Sequence, residues 1–452
     1  MLFGLLYEVW LLEGGASCGH RSCGLYILVV LLCISVLSSN RLCFEEAACG
    51  FGSVFVDYGN RYTDLVDHLC ENRNGIFQKS GSTIDPACRD EKKQALNRLL
   101  ARMRSMRVLV DDVGSFPLPA QVRPELFDRA YVLARRAISA GKDIKEDKFL
   151  MEHFYEVIIE SFRRKCATGL DIVNYPQHYD MHKQVADVIS DVMERGTYLV
   201  DEDDAVLPEV HVINGEARGL CEEFGKRISL RVCIAGPLEL YLRMVGTVVY
   251  EDVLLMFAET VRRFAKKSIL DSKYVKTEVV CLDEPSLGFQ ELSADRDVII
   301  GVLDKAFNFA GATKQIHLHS SLKAADLLEV GNVDVLALEC AASPRNMESL
   351  SRKMLDKADK CVRVGISRTD VDSISAELHE KGITEPAAEQ LVEAEEAMRR
   401  RFVLAEDKYG DRMLFAGPDC GLGGWPTQEP AELLLRRTVS AVRGTQATST
   451  MR

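Results

Sequence analysis

The chain has 452 residues, 47% of them hydrophobic and 27% charged, and a formal charge of −12 from 56 Lys and Arg against 68 Asp and Glu. That length holds one large α/β barrel with an extension, or two to three medium domains, and the proportions exclude a wholly disordered, fibrous or polytopic membrane chain. The acidic balance leaves no electrostatic footprint for nucleic acid, although a small anionic substrate can still be held locally.

The first hundred residues differ from the rest. Seven of the 14 cysteines fall there: Cys18, Cys23, Cys33, Cys43, Cys49, Cys70 and Cys88. None has the paired spacing of a zinc site. One apolar run, Leu25 to Leu37, is too short to span a bilayer. It has the length of a signal-peptide core, with Arg21 before it, but the apolar stretch Met1 to Leu12 precedes it, which a signal core does not have. Residues 1–102 are therefore expected to be an irregular extension outside the working protein, with Met103 and Met106 as natural starts; a signal or anchor segment and an accessory domain are the alternatives. The thinner cysteine content of the remainder suits a reducing compartment, so a cytoplasmic protein without a membrane span is expected.

From residue 107 short apolar, β-branched runs alternate with helical patterns. Strands are predicted at 107–112, 170–174, 229–234, 278–282, 314–318, 334–338, 361–366 and 412–416. Several are near-continuous apolar runs, as in parallel strands buried on both faces. Helical spacing runs through 125–140 and 147–166, and 385–405 reads as one long exposed helix. Eight strands alternating with helices predict a (β/α)8 TIM barrel over 103–445, with an irregular N-terminal extension and a polar tail at 446–452 that frays. A doubly wound open sheet is the alternative.

In a barrel, reactive groups collect where strands run into βα loops. Strand one leads into DVGSFPLP, where Gly114 permits close backbone approach and Ser115 offers a hydroxyl. The loop after strand two carries His178, Asp180 and His182. Strand four ends in Asp283 and Glu284, two carboxylates that will not be buried unpaired. They either hold a substrate ammonium or anchor loops. Strand five ends in QIHLHSS, which puts His317 and His319 on one face. Strand six ends at Glu339, and Cys420 follows strand eight in GPDCGLGG. His319, Glu339 and Cys420 could share a zinc ion, which accepts imidazole, carboxylate and thiolate together. Spacing alone leaves a second account open: a core histidine, a capping glutamate and a buried cysteine, unrelated to one another.

The succession VGSFP, a loop ending in YDM, LDEP, IHLHS, ALE, VGISRTDVDS and GPDCGL resembles the catalytic barrel of cobalamin-independent methionine synthase, most of all its short archaeal form, over residues 107–440. The resemblance implies a (β/α)8 barrel whose zinc binds homocysteine sulfur for methylation. It implies His319, Glu339 and Cys420 as metal ligands. It implies Gly114 and Ser115 at the amino acid's polar end, and Asp283 at its ammonium. Three positions depart from the family pattern. Ser321 stands where a second zinc cysteine is expected, so either the site has three firm ligands, or His317 or water fills in. Tyr175 stands near an expected glutamate, and Asp372 replaces an expected catalytic histidine.

The resulting expectation is a zinc-dependent S-methyltransferase making methionine. A thiol is a good nucleophile only as thiolate, and zinc both lowers its pKa and fixes the sulfur. The donor is expected to be a methylcorrinoid, free or on a corrinoid protein, or else methyl-folate, since 1–102 is too short for a second barrel. Two alternatives remain: a corrinoid-dependent methyltransferase acting on another thiol, such as a thiol coenzyme, and a non-catalytic ligand-binding barrel.

Overall fold

In the computed structural model, residues 107–290 and 292–450 are described. The extension expected over 1–102, with Met103 and Met106, lies outside them, and Arg107–Ser449 forms one compact unit. Each apolar run becomes a parallel strand. β1 is Leu109–Val110, β2 Val173–Asn174, β3 Ile228–Ala235, β4 Val275–Asp283, β5 Thr313–Leu318, β6 Val335–Leu338, β7 Cys361–Ser367 and β8 Met413–Pro418. The sheet order is β1-β8-β7-β6-β5-β4-β3-β2. It curls, and outside the strands isolated parallel bridges pair Asp111 with Ile172 and Ser115 with Gln177.

The helices cover the outside of the curl. They are α1 (Pro124–Ser139), α2 (Glu156–Cys166), α3 (Met181–Met193), α4 (Pro208–Phe224), α5 (Pro237–Met244), α6 (Glu251–Lys267), α7 (Arg296–Ala306), α8 (Arg352–Ala358), α9 (Val371–Glu380), α10 (Glu395–Tyr409) and α11 (Gln428–Thr450). The long helix expected over 385–405 is broken. A short turn, Ala388–Leu391, ends where Val392 is extended at φ −99° and ψ 126°. The break lets Glu393 face inward, where its carboxylate accepts from Arg401 and from the Arg368 backbone N–H. The last helix continues to Thr450, past the point where the polar tail is expected to fray.

Inside the curl, side chains stack in sets drawn from alternate strands. Ile172, Val279, Val335 and Phe415, at β2, β4, β6 and β8, form one apolar set. Asp111, Arg231, Gln315 and Arg363, at β1, β3, β5 and β7, are all fully buried. Asp111 bonds Arg231, and its Oδ1 accepts from Arg363 Nε at 2.7 Å. Arg231 also donates to Gln315 Oε1 at 2.8 Å. Gly417 is glycine for a steric reason: a Cβ there would lie 2.2 Å from the Asp111 carbonyl and 2.4 Å from Arg363.

Candidate metal centre

The loop ends of β5, β6 and β8 bring four donors together. His317 is the penultimate residue of β5, His319 follows that strand, Glu339 follows β6, and Cys420 lies just past β8. His319 Nε2 is 3.2 Å from Glu339 Oε1 and 3.6 Å from Cys420 Sγ. His317 Nε2 is 3.6 Å from the same Glu339 oxygen. One ligand atom from each of the four lies within 4.8 Å of all the others. His317 is 1% exposed, and neither of its ring nitrogens has a hydrogen-bond partner. Two nitrogens, an oxygen and a sulfur around a common point, with an unsatisfied buried imidazole among them, fit a tetrahedral zinc ion.

Two residues outside the sequence reading hold these loops. Asn346 Nδ2 donates to the carbonyls of His319 (2.8 Å) and Glu339 (2.7 Å), and its Oδ1 accepts from Ser321 N–H at 3.1 Å. Asp419 accepts from the backbone N–H groups of Cys340, Ala341 and Ala342, tying the loop of Cys420 to that of Glu339. Gly365 leaves room for it, since a Cβ there would come 2.0 Å from Asp419 Oδ1. A short acid beside the candidate cysteine in GPDC was a readable signal for Asp419. Nothing in the sequence marks Asn346.

The electrostatics favour a cation. Burial, then the neighbouring His317, lowers the His319 pKa, so its lone pair is available at neutral pH. Burial opposes ionisation of Glu339, but the nearby His317 and His319 rings bring its carboxyl below the usual value. Burial, with Glu339 beside it, pushes the Cys420 thiol well above its ordinary value. A bound metal ion would reverse that last shift.

The other candidates divide. Gly114 has φ +45°, and Ser115 Oγ accepts from Gly423 N–H at 3.0 Å, so this pair meets the glycine-rich loop that carries Cys420. Asp283 is buried, its Oδ1 is 3.1 Å from Cys281 Sγ, and burial raises its carboxyl to about 7. Glu284 anchors a loop: its carboxylate accepts from Leu238 and Glu239 N–H at the start of α5. Tyr175 is a buried strut, donating to the Cys233 carbonyl at 2.7 Å. Asp180 caps α3, and His182 faces Glu239 at 3.2 Å. Asp372 is exposed in the first turn of α9 and does not belong to the four-donor group.

His178 carries a pH prediction. Its Nδ1 is 2.8 Å from the Phe116 carbonyl and its Nε2 3.0 Å from Ser161 Oγ. Burial lowers its pKa to about 4. The unfolded ring takes its proton near pH 6.5 and the folded ring does not. Its contribution is therefore intact above about 6.5 and is lost as pH falls toward 4, by roughly 2–3 kcal/mol in all. Urea midpoints between pH 7 and 4 should fall less steeply for His178→Gln than for the parent. Parallel curves would disprove the assignment.

Among solved structures the chain is similar to a B12-independent methionine synthase from Shewanella sp. W3-18-1, in complex with selenomethionine. Identity is 13%, the match covers 76% of this chain and 100% of that one, and the TM-score is 0.47. No protein-family profile matches the sequence, and no curated protein does. Among the described residues no helix is long and apolar enough to cross a membrane.

Proposed function

We propose that the chain is a zinc-dependent S-methyltransferase of the cobalamin-independent methionine synthase type, acting on homocysteine to give methionine in the cytoplasm. The observation that carries this reading is the convergence of His317, His319, Glu339 and Cys420 at the loop ends of three strands. The (β/α)8 barrel belongs to the same proposal. It is supported by the isolated bridges of Asp111 with Ile172 and Ser115 with Gln177, beside β1 and β2, and by side-chain sets drawn from alternate strands.

His319, Glu339 and Cys420 would hold the metal, with His317 as fourth donor in place of the cysteine that Ser321 replaces. Zinc, when bound, supplies the Lewis acidity that lowers a thiol's pKa at neutral pH. Asp283 receives the substrate ammonium, while Gly114 and Ser115 border the amino acid's polar end, so that the chain fixes the direction from which the sulfur attacks. Asp372, exposed after β7, stands at the position of the family's proposed acid. The methyl donor is a methylcorrinoid, free or on a corrinoid protein, with methyl-folate as the other candidate.

His319→Ala and Glu339→Ala should each lose one equivalent of zinc relative to the parent by elemental analysis. Full retention would contradict the centre. The fourth position is tested by rescue. His317→Ala should weaken zinc binding roughly tenfold or more, and adding Ser321→Cys should restore it, because thiolate is a strong zinc ligand. Ser321→Cys alone should change little. If it tightens binding in the parent background, position 321 rather than His317 completes the shell.

A further inference from the structure

A second cluster lies deeper in the curl. Cys233 on β3 and Cys281 on β4 are register partners and are fully buried. Asp283, two residues beyond Cys281, shares its face. One ligand atom from each of the three lies within 4.8 Å of the other two. Cys281 Sγ is 3.1 Å from Asp283 Oδ1, and Arg231 Nε donates to Cys233 Sγ at 3.3 Å. Cys281 has one thiol proton to offer two neighbouring acceptors, the Cys233 sulfur and the Asp283 carboxylate. Beside Asp283, as its register partner on β5, stands His317, whose ring nitrogens make no hydrogen bond.

We propose that Cys233, Cys281 and Asp283 bind a second divalent cation of the zinc class, separate from the one at the loop ends. Two thiolates and a carboxylate are a donor set that selects a borderline-soft ion. The buried charges agree. In the set below, Arg231 and Arg363 share the single carboxylate of Asp111, leaving one positive charge in excess. Two thiolates and Asp283 carry three negative charges, and a divalent ion brings the whole buried group to neutrality, as a low-dielectric interior requires. Arg231 Nε then serves as the hydrogen-bond donor that orients a metal-bound thiolate. Asp283 can ligate through Oδ1 and keep its other oxygen for a substrate ammonium. The proposal does not rest on the methyl-transfer reading.

Cobalt(II) is the probe, because its charge-transfer absorption grows with the number of cobalt–sulfur bonds. The chelator-stripped full-length protein is titrated with cobalt. Through the described residues the parent should bind two equivalents, with three sulfur ligands in total. Cys233→Ser/Cys281→Ser should lose one equivalent and about two-thirds of the absorption. Cys420→Ala should lose the other equivalent and the remaining third. Circular dichroism confirms that each variant is folded, and the stoichiometry of the parent decides the matter if the double variant does not fold. A parent that binds a single equivalent overturns the proposal, as does a folded double variant with unchanged absorption. Finding two fewer free thiols in the denatured, unreduced parent also overturns it, because the pair would then be a disulfide. Retention of both equivalents by Cys420→Ala would strike the loop-end centre and leave this one standing.

Discussion

Cys420→Ala should lose one equivalent of zinc and homocysteine methylation together, while the protein stays folded. The cysteine follows β8 in the glycine-rich loop and is only partly buried by area. Its loop is positioned by Asp419 and by the Thr369 hydroxyl, which accepts from Cys420 N–H at 3.2 Å. Neither contact uses the cysteine side chain, so truncation removes little packing, and the melting temperature should move by no more than a few degrees. Chemically, Cys420 is the single thiol among the four loop-end donors and bears much of the metal affinity. Turnover should fall on the order of a thousandfold or more. A structural cysteine would give the reverse: a lowered melting temperature, with activity kept in the folded fraction. Zinc content, melting temperature and turnover on this one variant separate the two accounts.

Asp111→Asn should be among the most destabilising single changes in the interior. Among the described residues Asp111 is the only carboxylate paired with Arg231 and Arg363, and all three are fully buried. The substitution keeps shape but takes from two guanidinium groups in a dry interior the one carboxylate they share. Breaking a buried pair in this way costs about 3–5 kcal/mol. The cost here lies at the upper end because two partners lose one ion. Replacing the arginines as well, with methionine at 231 and 363, should recover part of the loss, because the apolar set needs no counter-ion. Urea unfolding followed by circular dichroism measures both. A single variant within 1 kcal/mol of the parent would contradict the charge balance that also underlies the second metal site.

Much of the fold was readable because parallel strands buried on both faces are near-continuous apolar runs, and all eight predicted runs overlap a strand. The ends were not readable. β1 and β2 are expected over 107–112 and 170–174, yet their ladders shrink to two residues each, where polar residues such as Asp111 and Asn174 turn side-chain hydrogen bonds inward. The helix over 385–405 has good helical composition, but the inward turn of Glu393 overrides it. At the site, His319, Glu339 and Cys420 were legible because each follows the end of a predicted strand, and His317 follows from two-residue alternation. Cys233 and Cys281 were not, because their pairing depends on the register of β3 against β4, which no local pattern encodes. Asn346 lies in a short loop of ordinary composition and shows its purpose only when β5 and β6 are side by side.

Methionine formation from homocysteine, with methylcobalamin and methyl-folate supplied in parallel to zinc-replete protein, tests the central claim most directly. The account predicts methionine from the methylcorrinoid, less or none from methyl-folate, and loss of the product in Cys420→Ala. No methionine from either donor, with zinc bound and the protein folded, would contradict it.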